Sequence, residues 1–177
     1  MKKLFILICL ATIGLSCFAQ FTSDKVYIYV KAGQDPVKMS SVIVIGYLPD
    51  SDEIVNRTTN SDNIRWTMKN EPRYLNSPYN LLEASKRIRS HTTPLRCQYN
   101  SSASTSKYTV YTGHEPAGSN NWGSWSAQTL NWAFSKDAKR MIRWYTGYED
   151  KKEIYLLTDL SEFDPSTSQS SNYDFLE

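Results

Sequence analysis

Apolar and polar side chains alternate along much of the chain after residue 20, and this period of two predicts half-buried β-strands. The alternation is clearest over residues 26–30 and 129–134. Residues 41–48 are instead apolar on both faces, which predicts a strand in the centre of a sheet. Shorter or weaker patterns predict further strands over residues 54–58, 64–68, 95–99, 108–112 and 154–158.

Helical spacing replaces this alternation in two segments. Ser77-Pro78 forms a cap and a first-turn proline ahead of apolar residues that share one helical face. A second helix is predicted to begin at Ser135 or Asp137 and to end before Gly147. Its apolar face would consist of Ala138, Met141, Ile142 and Tyr145.

Together these elements predict a mainly β fold, either an antiparallel sandwich or an open barrel of about seven or eight strands, with two short helices. An α+β arrangement is the alternative. We expect one domain over residues 20–164, a length that is sufficient to bury a core. The serine-rich residues 165–177 are predicted to form a disordered tail.

Residues 1–19 have the layout of a secretory signal peptide. A basic start is followed by an apolar run from Leu4 to Leu15 and by small residues that end at Ala19. The run is shorter than the roughly 20 residues that a membrane-spanning helix needs. We therefore expect an exported protein, periplasmic or extracellular, with no integral membrane segment after signal removal. A lipid anchor on Cys17 is the alternative.

Removal of this signal makes the protein neutral. The whole chain has 20 basic and 18 acidic residues, and loss of Lys2 and Lys3 leaves 18 of each. A neutral domain lacks the positive surface that nucleic acids require, so we expect no nucleic-acid partner. Cys97 becomes the single remaining cysteine, so the processed monomer is predicted to have no internal disulfide.

Catalytic chemistry has few candidates in this sequence. His114 with Glu115, or with Cys97, is the minimal set for a hydrolase, because a nucleophile or activated water needs a neighbouring base. Two histidines and one cysteine without ligand spacing do not predict a metal site. No phosphate-binding or dinucleotide-binding glycine motif is present, and we expect no cofactor.

Aromatic residues are the one compositional excess, with five Trp and twelve Tyr. Trp122 and Trp125 lie in a polar loop beside Asn121, and a flat ring with polar neighbours can hold a sugar or a peptide. The alternative is that both rings fold back over the sheet. Three more tryptophans lie at periodic positions and are predicted to be core residues: Trp66, Trp132 and Trp144.

A basic surface is predicted on the second helix, where it could contact an acidic glycan or an acidic protein. Charge complementarity within the protein itself is the alternative explanation for this cluster. The residues of this predicted partner face are Lys136, Lys139, Arg140 and Arg143.

The segment Trp132-Ala-Phe-Ser-Lys-Asp137, followed by Met141-Ile142 and Trp144, resembles a segment of small uncharacterised secreted proteins of Bacteroidota. The resemblance covers a short part of the chain. It implies export and brings no activity or binding residues with it.

Three functional hypotheses follow. The first is an exported, non-enzymatic binding or interaction domain for a glycan or a peptide, with its site at Trp122 and Trp125. The second is an envelope inhibitor or immunity-type protein that acts through a protein partner. The third is a hydrolase that uses His114 with Glu115 or Cys97.

Overall fold

Eight antiparallel strands close into a barrel in the computed structural model, which describes residues 21–83, 95–120 and 123–164. The order around the barrel is β1-β10-β9-β8-β5-β4-β3-β2, and β6 pairs only with β7 in a separate hairpin. The mainly β fold with eight strands is confirmed, and the barrel is closed. The strands are β1 Val26–Lys31, β2 Val42–Leu48, β3 Glu53–Thr59, β4 Leu95–Tyr99, β5 Tyr108–Glu115, β6 Gly118–Asn120, β7 Gly123–Trp125, β8 Gln128–Ser135, β9 Arg140–Tyr145 and β10 Glu153–Leu157.

Two helices, α1 (Ser61–Asn70) and α2 (Pro78–Glu83), cover the outside of the barrel over β1–β3. β2 therefore has an apolar neighbour on each face, as its uninterrupted apolar sequence predicts. Four short 3₁₀ helices also occur within the described residues, at Pro36–Lys38, Pro72–Leu75, Glu149–Lys151 and Leu160–Phe163.

Two hydrophobic cores result, one on each side of the β1–β2–β3 sheet. The inner core fills the barrel, as expected for eight strands, whose interior is just wide enough for side chains or one small ligand. It includes Tyr29, Tyr111, Trp132 and Phe134, each at most 1% exposed. The outer core joins the sheet to the helices and includes Val44, Val55, Ile64, Leu75, Leu81 and Phe163.

Close packing of α2 on β2 depends on Gly46. A Cβ atom at this position would lie 2.6 Å from the Pro78 Cβ and 2.7 Å from its Cα, closer than real contacts allow. The Ser77-Pro78 signal is confirmed as the start of α2. The sequence after Glu83, where this predicted helix continues, lies outside the described residues.

Residues 64–68 form part of α1, so the strand predicted there is wrong. Ile64 and Met68 are four residues apart, a separation that suits one face of a helix as well as one face of a strand. The Asn60 side chain accepts a hydrogen bond of 2.8 Å from the Asn63 N–H and caps the helix. Trp66 consequently lies on the outer side of α1 and is 44% exposed, so its predicted core position is also wrong.

Residues 140–145 form β9, so the helix predicted over residues 135–147 is wrong as well. The Asp137 side chain accepts a hydrogen bond from the Lys139 N–H, and Ala138 has a positive φ of 58°. These features form a tight turn between β8 and β9 instead of a helix cap. Gly147, with a φ of 87°, belongs to the turn after β9.

No helix within the described parts of the chain is both long and apolar enough to cross a membrane. The predicted signal peptide at residues 1–19, the Cys17 anchor and the predicted tail at residues 165–177 lie outside the described residues.

Candidate functional site

The two ends of the barrel differ in chemistry. One end is closed by aromatic rings: Phe21 packs edge to face on Tyr27 and on Phe134, with ring centroids 4.8 Å apart in both pairs. Strand register places charged, inward-facing residues at the opposite end, including Arg143 and Glu153. A charged side chain directed into a barrel is costly to bury, so this end needs a specific explanation.

An ion-pair network connects three strands at this charged end. The Lys31 Nζ of β1 donates to the Glu153 Oε1 of β10 over 3.0 Å, and the Tyr155 hydroxyl donates to Oε2 over 3.0 Å. The Arg143 Nη1 of β9 lies 3.9 Å from the same Oε2. One carboxylate is thus shared by two cations and a phenol.

Aromatic rings hold the Arg143 guanidinium in place. It lies 5.6 Å from the ring centroids of both Trp132 and Tyr145, within the range of cation–π attraction. Its Nη2 donates to the Tyr145 hydroxyl over 3.1 Å, and that hydroxyl lies 3.5 Å from a Glu115 carboxylate oxygen. Arg143 is therefore held by a ring on β8 and by a ring and hydroxyl on its own strand, β9, before any ligand binds.

A cavity of about 260 Å³ opens beside this network. Its floor belongs to the barrel and its rim to the connection between β1 and β2. Polar and charged side chains predominate in its lining, which consists of Lys31, Gln34, Met39, Ser40, Ser41, Arg143, Glu153 and Tyr155.

Electrostatics keep Glu153 ionised. Burial raises its pKa, but hydrogen bonds from Lys31 and Tyr155 and the charges of Lys31 and Arg143 outweigh this effect and place the pKa below its ordinary value. Burial also raises the pKa of Tyr155, so its phenol keeps its proton as the hydrogen-bond donor. A carboxylate with a lowered pKa is poorly suited to act as a general acid.

Within the part of the chain that the structure describes, three buried polar atoms in the barrel interior have no hydrogen-bond partner: Asn56 Oδ1, Trp132 Nε1 and Arg143 Nε. Register places Asn56 on the same inner face as Ile45, opposite it on the neighbouring strand. Native interiors satisfy nearly all buried polar groups, so each exception needs an explanation such as bound water or a functional role. The inner surface near the charged end thus retains hydrogen-bonding capacity.

Of these residues, only Arg143 belongs to a site that the sequence predicts; Lys31, Glu153 and Tyr155 do not. A usable signal existed, because Lys31 and Glu153 each stand at an inward position in a strand with a period of two. Their proximity depends on the pairing of β1 with β10, which are far apart in the sequence. The hydrophobic pattern within a single strand does not predict pairing between strands that are so far apart in the sequence.

Trp125, the described member of the predicted aromatic platform, lies on β7. Its ring is 42% exposed and its Nε1 donates to the Pro116 carbonyl over 3.1 Å. The ring packs on Gly118, where a Cβ would come within 2.5 Å of it. Asn121 and Trp122 lie outside the described residues.

The predicted basic partner face is divided between two surfaces because its segment is a turn and a strand. Arg143 faces the barrel interior, whereas Arg140 lies on the outer face beside the turn that carries Lys139. The Lys136 Nζ donates to the buried Thr109 hydroxyl over 3.1 Å. The four cations therefore do not form the single helical surface that the sequence predicts.

The cysteine version of the predicted hydrolase site does not assemble. Cys97 is fully buried in the inner core, against Gly113 of β5. His114 follows Gly113 in the same strand, so its side chain points to the outer face. Glu115, on the inner side, is likewise directed away from His114. No group of three or more His, Cys, Asp or Glu side chains within the described ranges could hold a metal ion.

We expect the Cys97 thiol to be unreactive in the folded protein. Burial, with a smaller effect of Glu53, raises its pKa to about 12, so almost no thiolate exists at pH 8. A chromogenic disulfide reagent at pH 8 should react only after unfolding in guanidinium chloride. Processed protein should then release one thiol, whereas a chain that retains all 3 cysteines should release three. Rapid reaction of the native protein would contradict the buried position.

In comparisons with known proteins, no family model, no curated protein and no solved structure matches this chain.

Proposed function

We propose that this protein is an exported, non-enzymatic binding domain that takes a small polar ligand, a saccharide or a short peptide, at the charged end of its barrel. One observation carries the proposal: inward-facing Lys31, Arg143 and Glu153 surround a cavity of about 260 Å³ at that end. The cavity lies between the end of the side-chain-filled barrel and the β1–β2 connection, and it is slightly smaller than the roughly 300–1,000 Å³ typical of drug-sized sites.

The preformed network supports binding. Arg143 is held by its aromatic neighbours and Glu153 by hydrogen bonds from two strands, so little side-chain freedom remains to be lost when a ligand binds. The separation of Cys97 from His114 supports a protein without a cysteine nucleophile. Export is supported by the signal-peptide pattern of residues 1–19.

Intrinsic fluorescence tests this proposal, because Trp132 lies beneath the Arg143 guanidinium. We expect a saturable change when processed protein is titrated with a panel of small saccharides and short peptides. Arg143→Met should weaken binding at least about tenfold, because a hydrogen bond to a charged group contributes about 1.5–3 kcal/mol. Lys31→Met provides a second variant at a more exposed position, 43% accessible at its side chain.

Lys139→Met is the matched control, since it removes the same charge from the β8–β9 turn, away from the cavity. It should leave affinity unchanged. Loss of binding only in the Trp122→Ala/Trp125→Ala double variant would move the site to the aromatic loop. No response to any probe would overturn the proposal, and turnover of a bound saccharide would show a hydrolase instead.

A further inference from the structure

The cavity lining carries an excess of positive charge. It contains two cations, Lys31 and Arg143, and one carboxylate, Glu153. Both oxygens of that carboxylate are engaged, Oε1 by Lys31 and Oε2 by the Tyr155 hydroxyl. Glu115 is outside the lining and is connected to Arg143 through the Tyr145 hydroxyl. The lining therefore has one positive charge more than its own carboxylate can balance.

Arg143 has remaining capacity for an anion. Its Nη1 is 3.9 Å from the Glu153 Oε2, beyond hydrogen-bonding distance, and its hydrogen-bond partners among the described residues are the neutral hydroxyls of Tyr145 and Tyr155. A guanidinium is a planar donor whose geometry matches a carboxylate, and such charge-assisted hydrogen bonds are about twice as strong as neutral ones. The Lys31 ammonium, on the adjacent wall, supplies the second positive charge.

The remaining polar groups of the lining suit hydroxyls. Gln34, Ser40 and Ser41 offer one amide and two hydroxyl side chains, each of which can both donate and accept hydrogen bonds. A sugar ring presents several hydroxyls, each of which can donate and accept hydrogen bonds. The side chains of a peptide differ in hydrogen-bonding capacity from residue to residue. The small volume fits a single ring better than an extended chain.

We propose that the ligand of this site is a sugar acid, a uronic acid or a residue of that class, with its carboxylate between Arg143 and Lys31 and its hydroxyls on the Gln34–Ser41 rim. This inference rests on the proposed binding function and adds the chemistry of the ligand. Glu153 positions the two cations and neutralises one of their positive charges. The ligand carboxylate neutralises the other.

Matched probes test the proposal by calorimetric or fluorescence titration of the processed protein, which comprises residues 20–177. Glucuronate and galacturonate should bind about 10- to 100-fold more tightly than glucose, galactose and the corresponding uronamides, the range for a charge-assisted hydrogen bond. Lys31→Gln should reduce this preference, and raised salt should reduce it too, because exposed charges are screened. Lys139→Gln, which changes the same charge outside the cavity, should retain the preference.

The outcomes separate this inference from the function on which it rests. Equal binding of uronates, neutral sugars and uronamides would overturn carboxylate recognition and leave the binding function standing. Binding of a dipeptide with a free carboxyl end, but of no sugar, would overturn the sugar class. Absence of binding by every probe would overturn the inference and the proposed function together.

Discussion

Replacement of Trp132 with alanine is expected to lower the free energy of unfolding by about 3–5 kcal/mol, the range for the loss of a large buried aromatic side chain. Trp132 is 1% exposed and is the largest fully buried side chain described. It lies between the Arg143 guanidinium and the inner core, so its truncation would leave a cavity inside the barrel. Urea unfolding followed by circular dichroism measures the change.

Two control variants define the origin of this loss. Trp132→Phe keeps most of the aromatic volume and removes an N–H that has no hydrogen-bond partner among the described residues, so it should change stability by less than about 1.5 kcal/mol. Trp66→Ala, at a position that is 44% exposed on α1, should change it by no more than about 0.5 kcal/mol. Equal losses in Trp132→Ala and Trp66→Ala would contradict the barrel packing.

Replacement of Arg57 with methionine is expected to raise the free energy of unfolding by about 1–4 kcal/mol. Arg57 is 0% exposed on the outer face of β3, opposite Val44, and all three of its guanidinium nitrogens lack a hydrogen-bond partner among the described residues. Burial lowers its pKa because the charged form is poorly solvated there. Methionine keeps much of the side-chain length in the outer core and removes the charge.

Arg65→Met provides the matched control for this variant. The Arg65 Nη1 donates to the Val37 carbonyl over 2.7 Å, and the side chain pairs with Asp62. Its replacement should lower stability by about 0.5–1.5 kcal/mol, because a satisfied guanidinium loses its hydrogen bonds. Thermal unfolding of both variants should therefore give shifts of opposite sign. A lower midpoint for Arg57→Met would show that its guanidinium binds a partner in the folded protein.

The alternation of apolar and polar residues predicted most strands, because the burial of alternate side chains follows directly from their order in the sequence. Residues 41–48 are apolar on both faces, and β2 is indeed covered on both sides. The same rule failed at residues 64–68, where a four-residue separation suits both a helix and a strand. The cap at Asn60 was present in the sequence and would have decided in favour of the helix.

The segment 135–147 failed for a different reason. Its apolar spacing suits a helix in isolation, but the turn at Asp137 and Ala138 directs the chain back along β8. Met141 then pairs with Phe134 across the two strands and packs in the inner core. Tertiary burial therefore outweighed a weak local preference, as is common for short segments.

The sequence by itself determined the mainly β class, the central position of β2 and the start of α2, because side-chain period and turn residues act locally. Only the tertiary structure decided the candidate site. Lys31, Arg143 and Glu153 converge through the pairing of β1 with β10 and of β10 with β9. Closure of the barrel brings the ends of a long chain together, and no pattern within a single strand specifies which strands will be neighbours.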